Sequence, residues 1–87
     1  MINKITNKML ENNWIATEFN GSIIYDKYLD YGVNPSIEID TTEDNKVSYE
    51  LYFKTDGESI TKEELNELNK AMKEINETIE MIRKELK

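Results

Sequence analysis

The side chains most able to do chemistry here are carboxylates and tyrosines. The 87 residues include eighteen Asp and Glu and five Tyr, but no His and no Cys. Without His there is no usual general base, no usual zinc ligand and no Ser-His or Cys-His nucleophile pair. Ser22, Ser36, Ser48 and Ser59 therefore have no partner to activate them. The acids fall on the polar side of alternating stretches or in turns, where solvent keeps a carboxyl ordinary; a general acid needs a partly apolar cleft. Asp40, Glu43 and Asp44 could chelate a hard cation, yet no Gly follows Asp44 and Leu51 stands where the calcium-loop Glu belongs. The three glycines are isolated, so no phosphate-binding loop is present. The expectation is a protein that is not an enzyme and takes no metal and no cofactor.

What remains is recognition. Tyr25-Asp26-Lys27-Tyr28-Leu29-Asp30-Tyr31 interleaves tyrosines with acids. Glu38, Asp40, Glu50 and Tyr52 continue the pattern in the next two alternating stretches, and Glu43 and Asp44 lie between those. Tyrosine offers flat contact area and carboxylates bind Arg and Lys. Tyr25, Asp26, Tyr28, Asp30, Tyr31, Glu38, Asp40, Glu43, Asp44, Glu50 and Tyr52 are thus the candidate partner-binding residues. The same pattern equally suits a solvated outer face with a few half-buried tyrosines.

Charge location favours recognition. Net charge is +2 over residues 1–10, −8 over 11–60 and −1 over 61–87, for −7 in all. Such a field repels nucleic acid and attracts a basic protein groove. The small acidic chain, with its expected antiparallel sheet and no His or Cys, resembles in type the small phage-encoded inhibitors of host defence, such as anti-CRISPR proteins and uracil-DNA-glycosylase inhibitors. The resemblance rests on Tyr25–Tyr31, Glu38, Asp40, Glu43, Asp44 and Glu50. It implies stoichiometric inhibition by DNA mimicry: occupying the nucleic-acid groove of a nuclease or other nucleic-acid-processing protein, with evasion of host defence as the result.

The elements that position these residues are legible in outline. Ile2, Ile5 and Met9 recur at helical spacing, predicting a short helix over 3–11 that ends at Glu11-Asn12-Asn13. Asn20-Gly21 between residues 14–19 and 22–28 is a strong hairpin signal. It predicts one face with Ile15, Thr17, Phe19 and Ile24, and another with Trp14, Ala16, Ile23 and Tyr25. Further strands are expected over 36–40 and 47–54, the second placing Val47, Tyr49, Leu51 and Phe53 together. Asp56-Gly57 then closes the sheet. Thr61-Lys62-Glu63-Glu64 fits a capping box that opens a helix over 61–86. Its apolar seam runs Leu65, Leu68, Met72, Ile75, Ile79, Ile82, Leu86 in steps of three and four.

The expected fold is a single α+β domain over 1–87, a four-stranded antiparallel meander with both helices on one face. The long helix should outreach the sheet, its N-terminal half packed on the core and its C-terminal half overhanging. Ile75, Ile79, Ile82 and Leu86 then need cover from the first helix or from a second copy, which opens an alternative function as an assembly module, a homodimer joined through that helix. The Met-Ile-Asn-Lys start lacks a signal peptide's apolar core, and no run is long enough to span a membrane. The expected location is cytoplasmic, in the host cytoplasm if phage-encoded.

Overall fold

A computed structural model describes residues 2–53 and 59–86. The elements run α1 (Ile2–Glu11), β1 (Ile15–Phe19), β2 (Ser22–Asp26), the 3-10 turn η1 (Asp30–Gly32), β3 (Asn34–Asp40), the 3-10 turn η2 (Thr41–Glu43), β4 (Lys46–Tyr52) and α2 (Lys62–Leu86). The four strands form one antiparallel sheet in the order β1-β2-β3-β4. The expected α+β meander with both helices on one face is the fold. The expected strand end at Lys54 and the Asp56-Gly57 turn lie outside the described residues.

Local chemistry sets each boundary. Helix α1 stops because Asn13 takes the left-handed conformation (φ 69°), which Asn tolerates better than most residues. The Trp14 N–H then donates to the Met9 carbonyl at 3.0 Å and the Asn13 N–H to that of Leu10 at 3.1 Å, satisfying carbonyls that the helix end would orphan. Asn20 (φ 49°) and Gly21 (φ 81°) both have positive φ, as a two-residue hairpin turn requires. Phe19 accordingly pairs with Ser22 and Ile15 with Asp26. Strand β2 ends at Asp26, two residues short of expectation, while β3 begins two residues early at Asn34. Pro35 is accommodated next to the strand start, its carbonyl accepting from the Lys27 N–H at 3.0 Å. The capping box of α2 is made in both directions: the Thr61 N–H donates to Glu64 Oε1 at 2.8 Å and the Glu64 N–H to Thr61 Oγ1 at 3.1 Å.

The core lies between one sheet face and the helices. Ile23, Tyr25, Ile37 and Ile39 from the sheet join Ile5 and Met9 of α1, Trp14, and Ile82 of α2. Val33, Pro35, Ala71 and Ile75 are buried as well. Tyr25 keeps its hydroxyl satisfied inside this layer by a 2.8 Å hydrogen bond with Thr6, and burial pushes the phenol pKa up.

Two expectations about α2 need correction. Its buried positions recur as Ala71, Ile75, Thr78, Ile82 and Glu85, with Thr78 and Glu85 part-buried. At 100° per residue this face is turned by about 50° from the apolar seam, so that Leu65 and Met72 fall at its margin. Small Ala71 and Thr78 allow the helix to approach closely. The overhang is also reversed. Ile75 and Ile82 are wholly buried within one chain, and Ile79 and Leu86 pack against the same core, so these four residues are not a free surface for self-association. Helix α1 supplies the cover, and Lys4 and Lys8 clamp Glu85 at 3.3 and 2.7 Å. The exposed end is the N-terminal one, where Leu65 is 47 % and Met72 37 % accessible.

These contacts set measurable stabilities. Ile82→Ala should lose roughly 2–5 kcal/mol of unfolding free energy in denaturant titrations, whereas Met72→Ala should lose less than about 1 kcal/mol. Hydrogen bonds from Lys8, then Lys4, hold the Glu85 carboxyl below its usual pKa. A depressed folded pKa stabilises the fold above the ordinary glutamate value of about 4.3, and that contribution fades as pH falls through the folded value. Glu85→Gln should therefore lower stability at neutral pH and flatten its decline below about pH 4.3, measured by thermal melts across an acid series.

Candidate functional site

Residues of even number on β2, β3 and β4 point away from the helices, because side chains alternate along a strand and the odd ones fill the core. Asp26, Glu38, Asp40, Glu50 and Tyr52 therefore share the outer face of the sheet. Register brings them close. Asp26 and Glu50 both pair with Ser36, one from each side, so their backbones stand about 10 Å apart across three strands. Glu38 is the next outward residue on the central strand, opposite Ile24 and Ser48.

Hydrogen bonds hold two of these carboxylates, Glu38 and Glu50, without cancelling their charge. Ser22 Oγ donates to Glu38 Oε2 at 2.7 Å, and the Tyr52 hydroxyl donates to Glu50. That bond to a carboxylate, together with the charges of Glu50 and Asp26, raises the Tyr52 phenol pKa. Among the described residues no lysine or arginine forms an ion pair with Asp26, Glu38 or Glu50. Three lysines are engaged in the helix layer: Lys27 pairs with Glu74 and lies over the Trp14 ring, and Lys4 and Lys8 pair with Glu85.

Asp40 has a more local duty. Its Oδ1 accepts from the Thr42 N–H at 2.9 Å and from Thr42 Oγ1 at 2.6 Å, capping η2. The Thr42 hydroxyl first, and then its N–H, draw the Asp40 pKa down; Lys46 contributes least. Just beyond, Asp44 and Asn45 both adopt positive φ. This turn packs on the β1–β2 turn, where the Thr41 N–H donates to the Gly21 carbonyl at 3.0 Å. A methyl group at Gly21 would collide with the side chain of Thr42.

The remaining candidates divide. Tyr25 is corrected outright: it is fully buried on the inner face and cannot touch a partner. The alternation that placed it beside Ile23 already carried that signal. Glu43 and Asp44 are exposed at the η2 end of β3, while Tyr28, Asp30 and Tyr31 are exposed at its start. Seven residues of strand put these groups about 20 Å apart, so they flank the acidic face rather than joining it. Two residues deserve adding. Phe19, 64 % accessible, and Ile15 lie on β1 beside half-buried Ile24, giving the face an apolar margin. Alternation about Asn20-Gly21 already placed Ile15, Phe19 and Ile24 on one face, but nothing local said which face the helices would cover.

Tyr31 also stands out in its backbone, at φ 60° and ψ 29° with an exposed ring. A bulky residue in the left-handed region costs about 1–2 kcal/mol, and Gly returns part of that gain through its entropy. Tyr31→Gly should consequently raise unfolding free energy by about 0.5–1 kcal/mol in denaturant titration; a loss would mean the ring contributes packing that outweighs the strain.

Comparison with family models, curated proteins and solved structures finds no match to this chain.

Proposed function

We propose that the protein is a non-enzymatic inhibitor whose outer sheet face docks into a basic nucleic-acid-binding groove of a nuclease or another nucleic-acid-processing protein. The supporting observation is the grouping of Asp26, Glu38 and Glu50 on three adjacent strands with no ion-pairing cation among the described residues. A carboxylate on a rigid strand keeps its position when solvent leaves, so the partner's Arg and Lys meet a preset array instead of a mobile one. Tyr52 adds planar area beside Glu50, and Phe19 and Ile15 offer an apolar anchor at one margin. Asp40 contributes charge while its carboxylate stays committed to the turn.

DNA mimicry of this kind suits anti-CRISPR-type activity, with the inhibited protein drawn from the host's defence nucleases. Binding would be fast and weakened by salt, because attraction between opposite fields dominates the approach.

The test is competition. Purified candidate defence nucleases, loaded with labelled DNA, should release it on addition of the protein, less so at high salt. Asp26→Lys with Glu38→Lys should abolish release while leaving the thermal melt within a few degrees of the parent. These two positions are preferred because reversing Asp40 would also remove the η2 cap. Full displacement by the double variant would reject this face as the contact.

A further inference from the structure

Among the described residues β4 is the last strand of the sheet and no strand pairs with its outer edge, where Lys46 and Glu50 supply the charge. It is seven residues long, pairs with β3 without a break from Lys46 to Tyr52, and contains no proline. Such an edge presents a row of backbone N–H and C=O groups that another strand can complete. The opposite edge is different: β1 has five residues, and α1 packs against it. Tyr49 marks the β4 margin as incomplete. It points toward the helix layer, yet remains 51 % accessible.

We infer that β4 pairs antiparallel with β4 of a second copy, joining two sheets into one of eight strands. Charge selects the occupant and the register. With Ser48 opposite itself on a two-fold axis, Lys46 faces the partner's Glu50 and Glu50 faces the partner's Lys46 on the outer side. Val47 and the partner's Tyr49 then meet on the inner side, again twice. The sequence of this strand is thus complementary to its own reverse. Within the chain, Lys46 already faces Asp40 across β3 and lies 3.9 Å from Glu43, while Glu50 faces Ser36. Pairing would place Lys46 between Asp40 and the partner's Glu50. It would also set the two acidic faces side by side, with the helices of both copies on the other surface. The pairing would engage Glu50 but leave Asp26 and Glu38, the two positions reversed in the competition test, without a cation, so the two readings are tested separately.

Charge reversal provides the test. Sedimentation velocity over a concentration series should show a reversible dimer. Glu50→Lys and Lys46→Glu should each weaken it by about tenfold or more, since each puts like charges opposite one another twice. An equimolar mixture of the two variants restores opposite charges at every pair and should recover the dimer. Circular dichroism confirms that each variant is folded; if Lys46→Glu is not, Glu50→Lys alone, with Tyr49→Lys on the other side of the strand, reads the same contact. A chain that stays monomeric at every concentration overturns the proposal. So does a dimer that survives Glu50→Lys, or one that is lost on Met72→Lys instead.

Discussion

Ile23, Tyr25, Ile37 and Ile39 leave water on one side of the sheet only, because among the described residues two helices cover them and both lie on that side. That constraint shapes the rest. A chain of 87 residues sits near the lower limit for a core without disulfides or metals, so little apolar surface can be left unused. Helix α2 crosses the sheet, and α1 fills the end that α2 and the strands cannot seal. The lysines of α1 reach Glu85, and Lys27 reaches Glu74, so much of the positive charge is drawn into the helix layer.

The outer face follows by subtraction. Strand alternation sends there whatever the core does not take: Asp26, Glu38, Asp40, Glu50 and Tyr52 on β2 to β4, with Ile15 and Phe19 on β1. Folding thus brings Asp26, Glu38, Asp40 and Glu50 onto one face although they are scattered along the chain, with Lys46 beside Asp40 at the end of β4. The turns keep this surface stiff. Asp40 caps η2, η2 leans on the Asn20-Gly21 turn, and the register between strands holds over their full lengths. A preset array of charge loses little freedom on binding, which is where a small protein can gain affinity without a large interface.

Elements with local signals were legible in the sequence. Asn20-Gly21 specified its hairpin and register, Thr61 and Glu64 their capping box, and Asn12-Asn13 the end of α1. Features set by tertiary packing were not. The seam from Leu65 to Leu86 has a regular apolar spacing, yet the burial of Ala71 turns the helix so that Leu65 and Met72 lie at the margin. The small size of Ala71 and Thr78 beside the seam did suit close approach to the sheet, but the spacing of the large residues alone pointed to a different face. Which half of α2 overhangs depended on where α1 docks, a contact 77 residues distant that no local pattern encodes. For the candidate site, alternation correctly grouped Glu38, Asp40 and Glu50. The run Tyr25–Tyr31 misled because its composition is uniform while its strand and its loop point the residues in different directions.

On the proposed reading, a cationic partner meets this molecule on the outer sheet face more strongly than anywhere else. Amide chemical-shift mapping of the labelled protein with an arginine-rich peptide tests it directly. The account predicts salt-sensitive shifts clustered at Ile24, Asp26, Ser36, Glu38, Ser48 and Glu50. Shifts spread evenly over the surface, or centred on the glutamates of α2, would contradict it.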